Sequence, residues 1–431
     1  MAVEDSRISG LYRLTMAERR AVIRATTDLS DAALAAWTGE AGLDEATADG
    51  MIENVVGRMS LPVGVATNFI IDGIPRLIPF CVEESSIVAA ASNIAKRARA
   101  SGGFTTAVDP PLMIGQIQIV EVVDIDAAEL AILDSADDLI RMCNDVESTM
   151  IRLGGGCKRI EVRTVETVSG PMMVVHLIID TRDAMGANAV NTMAERIAPQ
   201  IESLSGGRVL LRIVSNLASH RLARARCRLS PADIASDGDA DEGVRVIRDI
   251  ILAHDFADAD PWRAATHNKG VMNAISAVGL ACGQDWRSLE AGAHAWASLS
   301  GRYRSLTNWW VDEEGFLAGS IELPMAVGIV GGACKIHPTA RANLELLDVA
   351  SAGEFAGVLA STGLAQNLAA MRALCTDGIQ QGHMDLHLRN MVMAAGAEAD
   401  EIDLLSDAVR ADAGPITQTM VENALAELRR L

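Results

Sequence analysis

A lysine and an aspartate in the second half of the chain have the residue types and spacing for proton transfer. Lys269 lies in the stretch Pro261–Gly270 at the mouth of an apolar helix, and Asp285 ends a Cys-Gly-Gln-Asp sequence soon after that helix. An ammonium beside a carboxylate can stabilise a developing oxyanion and pass protons. Arg263, in the same stretch, is a candidate clamp for a substrate carboxylate. Solvated surface charges are the competing interpretation of these residues.

Two further motifs carry groups that titrate. Glu83-Glu84-Ser85-Ser86 leads into an Ala-rich helix, so both carboxylates are expected at a helix N-terminus, where the macrodipole favours negative charge. Gly382-His383-Met384 begins a C-terminal helix, which makes His383 a candidate proton donor. His383 and His387 have an i, i+4 spacing that could bind a metal, but no H-E-x-x-H pattern and no third ligand accompany them. No metal site is predicted.

A small, glycine-containing turn is the candidate nucleotide contact. Asp183-Ala184-Met185-Gly186-Ala187-Asn188 precedes a predicted helix whose N-terminal amides could hold a pyrophosphate. The sequence is not G-x-G-x-x-G, and no such motif follows a predicted strand. A Rossmann domain is therefore not expected, and an ordinary strand-to-helix turn remains the alternative.

The element pattern that must position these residues predicts an α+β fold of several domains. Between about 112 and 219 the order is strand, helix, strand, strand, helix, strand, with one helix predicted over 127–152. That order is the ferredoxin-like β-α-β-β-α-β arrangement. The flanking sequence is mostly helical, with strands at 61–66 and 76–82 around Asp72-Gly73 and a β-hairpin at 309–324. The sequence therefore predicts an inserted ferredoxin-like domain within a larger, mostly helical one.

Composition excludes several classes of partner. The 431 residues carry a formal net charge of -20, which argues against nucleic acid and against anionic lipid. The N-terminus lacks the apolar run of a signal peptide, and no window of eighteen apolar residues predicts a membrane span. Seven scattered Cys without a C-x-x-C pair suit reduced thiols. We therefore expect a cytoplasmic protein without nucleic-acid or membrane partners.

Six motifs in order resemble those of hydroxymethylglutaryl-CoA (HMG-CoA) reductases, over residues from about 50 to 395. They are Glu53-Asn54-Val55-Val56-Gly57, Val63-Gly64-Val65-Ala66, Asp183–Asn188, His267-Asn268-Lys269-Gly270, Gly283-Gln284-Asp285 and Gly382-His383-Met384. The sequences at Glu83-Glu84 and at 263–270, together with the lack of a membrane region, resemble those of the soluble bacterial class II enzymes. The resemblance implies interconversion of HMG-CoA with mevalonate and CoA by two hydride transfers from or to a nicotinamide cofactor.

The same resemblance implies roles for individual residues. The implied catalytic residues are Glu84, Lys269, Asp285 and His383. Lys269 would polarise the thioester carbonyl, Glu84 would supply or relay a proton, Asp285 would sit between them, and His383 would protonate the departing CoA thiolate. The implied ligands of the HMG group are Ser86, Arg263, Asn273 and, more weakly, Asn216. If active sites lie between subunits, Lys269 and Glu84 could come from different copies.

Cofactor, domains and assembly are also implied by the resemblance. Asp183, Met185, Gly186, Ala187 and Asn188 would lie near the cofactor pyrophosphate, and Glu147 would repel a 2′-phosphate, which favours NAD over NADP. The implied large domain comprises 1–110 and 220–377, the nucleotide domain 111–219, and a helical flap carrying His383 spans 378–431. A homodimer or higher symmetric oligomer is expected. An NADPH-dependent, mevalonate-synthesising enzyme and a non-catalytic CoA-ester-binding protein of the same fold are the alternatives.

Overall fold

The computed structural model describes residues 3–145, 148–376, 388, 390–398, 401–411 and 416–430. Two sheets organise the described residues, and each has its own apolar core. All seven cysteines are free. No helix among these residues is long and apolar enough to cross a bilayer, and no three His, Cys, Asp or Glu side chains among them are grouped as metal ligands.

The larger sheet has six strands in the order β2-β1-β3-β8-β10-β9. Its strands are β1 (Val63–Ile71), β2 (Ile74–Cys81), β3 (Phe104–Val108), β8 (Leu222–Leu229), β9 (Thr307–Val311) and β10 (Leu317–Pro324). Asp72 and Gly73 both have positive φ, 51° and 79°, which is the conformation of a tight hairpin turn and confirms the turn predicted there. Strands β3 and β8 were not predicted, so this domain contains more sheet than expected.

The smaller sheet has four antiparallel strands in the order β5-β6-β4-β7. These are β4 (Leu112–Val120), β5 (Gly156–Val165), β6 (Met172–Asp180) and β7 (Arg208–Ser215). In order of sequence within the unit, the strands lie 2-3-1-4, which is the ferredoxin-like arrangement that the sequence predicted. The α+β fold is therefore confirmed, while the domain limits given above stay predictions.

Helices cover one face of the small sheet and surround the large one. They are α1 (Met16–Thr26), α2 (Asp31–Thr38), α3 (Glu45–Asp49), α4 (Ile87–Ala98), α5 (Ile125–Asp134), α6 (Ala136–Asn144), α7 (Thr149–Arg152), α8 (Ala187–Ser205), α9 (Pro231–Ile234), α10 (Ala240–Ala259), α11 (Pro261–Ala281), α12 (Trp286–Ser298), α13 (Gly332–Ile336), α14 (Pro338–Leu347), α15 (Ala352–Cys375), α16 (Glu401–Ala411) and α17 (Gln418–Leu428).

The single helix predicted over 127–152 is wrong, because the chain forms α5, α6 and α7 there. Ser135 leaves helical geometry between α5 and α6, with ψ near 6°. At the end of α6 the Asn144 amide bonds both backbone groups of Cys157, at 3.0 Å and 2.8 Å. The amide therefore attaches the helix end to β5, and the helix does not continue.

Helix α11 is fixed in place by close packing against α15. Most of α15 is buried, and a Cβ at Gly363 would lie 2.7 Å from Ile275 Cδ1. A larger residue at 363 would therefore force the Ile275 side chain to shift, so glycine favours this close approach of the two helices. Every third or fourth residue of α11 (Thr266, Lys269, Asn273 and Ser276) instead lies on its less buried face.

Candidate active site

Lys269 and Glu84 form an ion pair on the surface of the large domain. Lys269 Nζ lies 2.8 Å from Glu84 Oε2, and the two side chains keep 59% and 40% of their accessible surface. An exposed pair of this kind contributes about 0–1 kcal/mol to stability. Because its contribution to stability is small, we interpret the pair as a group that acts on a bound molecule. The pair forms within one chain and does not need a second copy.

The backbone beside Glu84 is strained. Ser86, the N-cap of α4, has φ 71°, a left-handed conformation that is uncommon for a residue with a side chain. Its hydroxyl does not cap the helix. Such a conformation costs about 1–3 kcal/mol, and strain of this kind is concentrated at functional sites. The strain adjoins the carboxylate that meets Lys269, which supports this region as a binding site.

The other predicted HMG ligands lie at different positions around α11. Asn273 follows Lys269 by four residues and shares its face. Arg263 precedes Lys269 by six residues, which places it about 120° away around the helix axis. Burial lowers the pKa of the half-buried Arg263 guanidinium, and the Cys375 thiol at the end of α15 is close enough to influence it. In a single chain, Asn273 is therefore the better-placed neighbour of Lys269.

Two residues that sequence analysis did not assign hold the lysine helix from inside. His267 Nε2 accepts a hydrogen bond from Asn367 Nδ2 at 3.0 Å and lies 2.9 Å from Thr307 Oγ1. Asn268 donates to Arg304 O at 2.8 Å and accepts from Leu306 N at 2.9 Å. Burial lowers the pKa of His267 to about 3, so the ring is neutral. The one feature of the sequence that pointed to His267 and Asn268 is their position immediately before Lys269.

Asp285 belongs to a second group of residues, away from Lys269. It caps α12 by accepting from Ser288 N at 3.2 Å, and Arg287 lies 3.1 Å from the same oxygen. Lys269 and the end of α11 at Ala281 are twelve residues apart, which is about 18 Å of helix. A lysine side chain cannot span that distance. The predicted arrangement, with Asp285 between Lys269 and Glu84, is therefore not formed within one chain.

Asn216 lies with Asp285 and not with Lys269. Ser288 Oγ donates to Asn216 Oδ1 at 3.1 Å. Gln284, beside Asp285, bonds both backbone groups of Gly328, at 2.9 Å and 2.8 Å. These contacts join the Gly283-Gln284-Asp285 motif to the glycine-containing loop at 328–332, and they fix the aspartate at the helix start.

The residues Asp183–Asn188, which we name the α8 entry loop, approach the same region. Gly186 is the N-cap of α8 with φ 92°, and a Cβ there would lie 2.3 Å from the Thr181 side chain. Met185, Gly186, Ala187 and Asn188 line an open cleft of about 2140 Å³, as does Asp285. Asp183 instead accepts from Ala352 N at 2.8 Å and is not part of the lining. Its carboxylate therefore attaches the loop to α15, and its role as a cofactor contact stays a prediction.

The cleft is rich in cations although the chain is acidic. Among the described residues, its charged lining comprises one carboxylate, Asp285, and seven cations: Arg7, Arg13, Arg19, Arg20, Arg58, Lys96 and Arg287. The whole chain has 37 basic and 57 acidic residues. Clustered arginines and a helix N-terminus both favour phosphate groups. Arg7, Arg58 and Arg287 are paired with carboxylates, and the remaining cations suit a ligand that carries phosphate groups.

Two predicted site residues lie outside the described residues. These are His383, the expected proton donor, and Glu147, the expected determinant of cofactor choice. Their roles stay predictions.

Comparison with known proteins gives a consistent result. The family model of hydroxymethylglutaryl-coenzyme A reductase matches residues 15–388. The 3-hydroxy-3-methylglutaryl-coenzyme A reductase of Archaeoglobus fulgidus is 50% identical over 425 residues, which cover 99% of this chain and 95% of that protein. A solved HMG-CoA reductase from Streptococcus pneumoniae is 37% identical with a TM-score of 0.83, over 98% of this chain and 99% of the other. A class II structure from the same organism, bound to NADPH in open conformations, has a TM-score of 0.82 at 37% identity, over 96% and 100% of the two chains.

The fold, the ordered motifs and these matches define an oxidoreductase that acts on a CoA thioester with a nicotinamide cofactor. The chain belongs to the HMG-CoA reductase family, and within that family to class II. The family resemblance of the six motifs is therefore confirmed.

Proposed function

We propose that the protein interconverts HMG-CoA with mevalonate and CoA by two successive hydride transfers, within isoprenoid metabolism. The observation that carries the proposal is the 2.8 Å contact between Lys269 and Glu84 beside the strained Ser86, in a chain of this family. We further propose NAD(H) as the favoured cofactor and mevalonate oxidation as the physiological direction. The seven free thiols fit the cytoplasmic location predicted from the sequence.

The chemistry of the two side chains suits this reaction. Hydride addition to a thioester or aldehyde carbonyl places negative charge on oxygen, and a cation positioned there stabilises the transition state more than the ground state. Lys269 has the charge and the solvent-facing position to do this. Glu84, hydrogen-bonded to the ammonium, would supply or relay the proton that the oxygen finally takes. Ser86 and Asn273 would bind the HMG group on either side of this pair, with Arg263 as its carboxylate clamp.

We propose that a second copy of the chain completes the site. The Lys269–Glu84 pair and the cleft that contains Asp285 and Asn216 lie apart in one chain, yet the reaction needs substrate and cofactor in contact. A closed symmetric dimer could bring the cleft of one copy to the ion pair of the other. The nicotinamide would then donate or accept the hydride at this junction, held by Met185, Gly186, Ala187 and Asn188 at the start of α8. His383 would protonate the CoA thiolate.

Mixing two inactive variants tests this assembly. Lys269→Ala and Asp285→Asn are each expected to be inactive as pure proteins. After dissociation and random reassociation in equal amounts, half of the dimers contain both variants, and each of these has one site without a defect. About one quarter of wild-type activity should therefore return, if each site takes its two halves from different copies. No recovery in demonstrated mixed dimers would contradict the proposal.

The reaction itself is tested by absorbance at 340 nm. Formation of reduced cofactor that requires both mevalonate and CoA, measured separately with NAD and NADP, would establish the activity and the cofactor choice. Exchange of Glu147 for a neutral residue should lower the NAD to NADP ratio of kcat/KM, and an unchanged ratio would contradict the role of that residue. Absence of turnover in both directions with either cofactor would favour a non-catalytic CoA-ester-binding protein.

One observation favours the NADPH-dependent alternative. The similar class II structure from S. pneumoniae is bound to NADPH, whereas our preference for NAD rests on the charge of Glu147 alone. A higher kcat/KM with NADPH in the direction of mevalonate synthesis would establish that alternative.

A further inference from the structure

A buried arginine that no motif suggested lies behind the α8 entry loop. Arg221 precedes β8 and keeps only 4% of its accessible surface. Its Nη1 donates to Thr181 Oγ1 at 3.0 Å, to Ala184 O at 3.1 Å and to Met185 O at 3.4 Å. Its Nη2 donates to Val327 O at 2.5 Å. One side chain thus joins the α8 entry loop to the loop after β10.

The positive charge of Arg221 has no carboxylate among these hydrogen-bond partners. All four acceptors are neutral oxygens, and the two carboxylates whose charges act on the guanidinium, Asp180 and Asp183, accept hydrogen bonds from other groups. Asp180 accepts from Arg182 N at 2.9 Å, and Asp183 accepts from Ala352 N at 2.8 Å. Burial lowers the pKa of Arg221 to about 10, while the negative charges of Asp180 and Asp183 act to raise it, so the guanidinium remains charged near neutral pH. A buried cation in such surroundings is stabilised by any anion that binds nearby.

The bonds to Arg221 also determine the direction of the loop's peptide groups. The carbonyls of Ala184 and Met185 point inward to the guanidinium, and a planar trans peptide directs its N–H away from its C=O. The same residues line the cleft, and α8 begins directly after them. The first N–H groups of a helix have no partner within the helix. The first amides of α8 are therefore left without helical partners beside the cleft, while the carbonyls of Ala184 and Met185 are held behind.

We infer that Arg221 is a positioning residue for the pyrophosphate of the nicotinamide dinucleotide. It holds the α8 entry loop in its binding conformation and places a positive charge behind the phosphates. The inference rests on the proposed function, because it assumes that a dinucleotide binds at this loop.

The test measures binding without turnover. ADP-ribose is the probe, because it contains the pyrophosphate and lacks the nicotinamide. Calorimetry with Arg221→Lys should show a Kd for ADP-ribose raised about tenfold, which corresponds to about 1.4 kcal/mol. Lysine keeps the charge but cannot reproduce the fork of donors. Arg221→Met, without the charge, should weaken binding at least as much. Thr181→Val keeps the arginine but removes one of its acceptors and the threonine's own hydrogen bond to Ala184 O, and should raise Kd about threefold, or about 0.7 kcal/mol.

The controls separate positioning from general stability. Arg97 also donates to two backbone carbonyls, Asp233 O and Ala235 O, both at 2.6 Å. It lies on α4 and is far in sequence from the α8 entry loop. Arg97→Lys should leave the ADP-ribose Kd unchanged. In the Arg221 variants the Kd for HMG-CoA should stay within twofold of wild type, and kcat at saturating cofactor should change less than the cofactor KM.

Three outcomes decide the matter. Unchanged ADP-ribose binding in folded Arg221→Lys and Thr181→Val proteins would overturn the inference. An equal loss of HMG-CoA and ADP-ribose affinity would also overturn it, because it would indicate a structural role. If the wild-type protein bound neither ADP-ribose nor NADH, the proposed function would fail instead.

Discussion

Replacement of Glu84 by Gln separates chemistry from stability at the ion pair. The pair is exposed, with 59% and 40% of the side-chain surfaces accessible, so its loss should lower the free energy of unfolding by about 1 kcal/mol or less. For a chain of this size that change lowers Tm by about 4 °C or less. Activity should fall far more, because a positioned proton donor contributes about 10²–10⁴-fold. Binding of HMG-CoA should change little, because Gln keeps the size and the hydrogen-bonding oxygen.

A matched variant controls for the loss of an exposed carboxylate. Glu121 lies 2.8 Å from Arg208, and the Glu121 and Arg208 side chains are 66% and 53% accessible. Glu121→Gln removes a similar contact in the small domain and should keep full activity. Turnover is measured at 340 nm in both directions and stability by urea unfolding. The assignment of Glu84 to proton transfer would be refuted if Glu84→Gln kept more than about half of the wild-type kcat. It would also be refuted if the free energy of unfolding fell by several kcal/mol.

Two further variants test how α11 is held. The pKa of His267 is about 3 in the folded protein, below its ordinary value of about 6.5. Protonation therefore favours the unfolded state. The stability that the neutral ring contributes is lost as pH falls from 6.5 toward 3. Wild-type unfolding free energy should therefore fall more steeply in this window than that of His267→Gln, by up to about 1.4 kcal/mol per pH unit, and parallel urea-unfolding profiles would contradict this. Gly363→Ala should destabilise the protein by about 1–3 kcal/mol, since its Cβ would lie 2.7 Å from Ile275 Cδ1, and an unchanged urea midpoint would refute that packing argument.

Local patterns predicted those parts of the fold that short-range physics determines. The Asp72-Gly73 turn and the ferredoxin-like strand order could be read because turn residues and apolar runs mark them directly. Strand β8 was missed although Ala223, Ala225 and Cys227 are more buried than the intervening Arg224, Arg226 and Arg228, a period of two that indicates a strand. The end of α6 was missed because the contact of Asn144 with Cys157 of β5, 13 residues further along the chain, helps to determine it.

The sequence predicted which residues belong to the candidate site but not how they are arranged relative to one another. Motifs identified Lys269, Glu84 and Asp285, yet only the fold shows that Lys269 meets Glu84, 185 residues away, and that Asp285 lies at the far end of α11. Arg221 could not be found in this way, because a buried arginine bound to backbone carbonyls leaves no sequence motif. Its partners come from two separate segments of the chain, 181–185 and the loop after β10.

The motif His267-Asn268-Lys269 combines two tasks in three consecutive residues. A helix turns by about 100° per residue, so neighbours in sequence face different directions. His267 and Asn268 point inward and bond to Asn367 and to the backbone at 304–306, while Lys269 points outward to Glu84. Lysine is a flexible side chain, and its precision in a site depends on how firmly its backbone is held. The buried network supplies that rigidity, so substitutions at His267 should disturb the position of the ammonium without touching the reacting atoms.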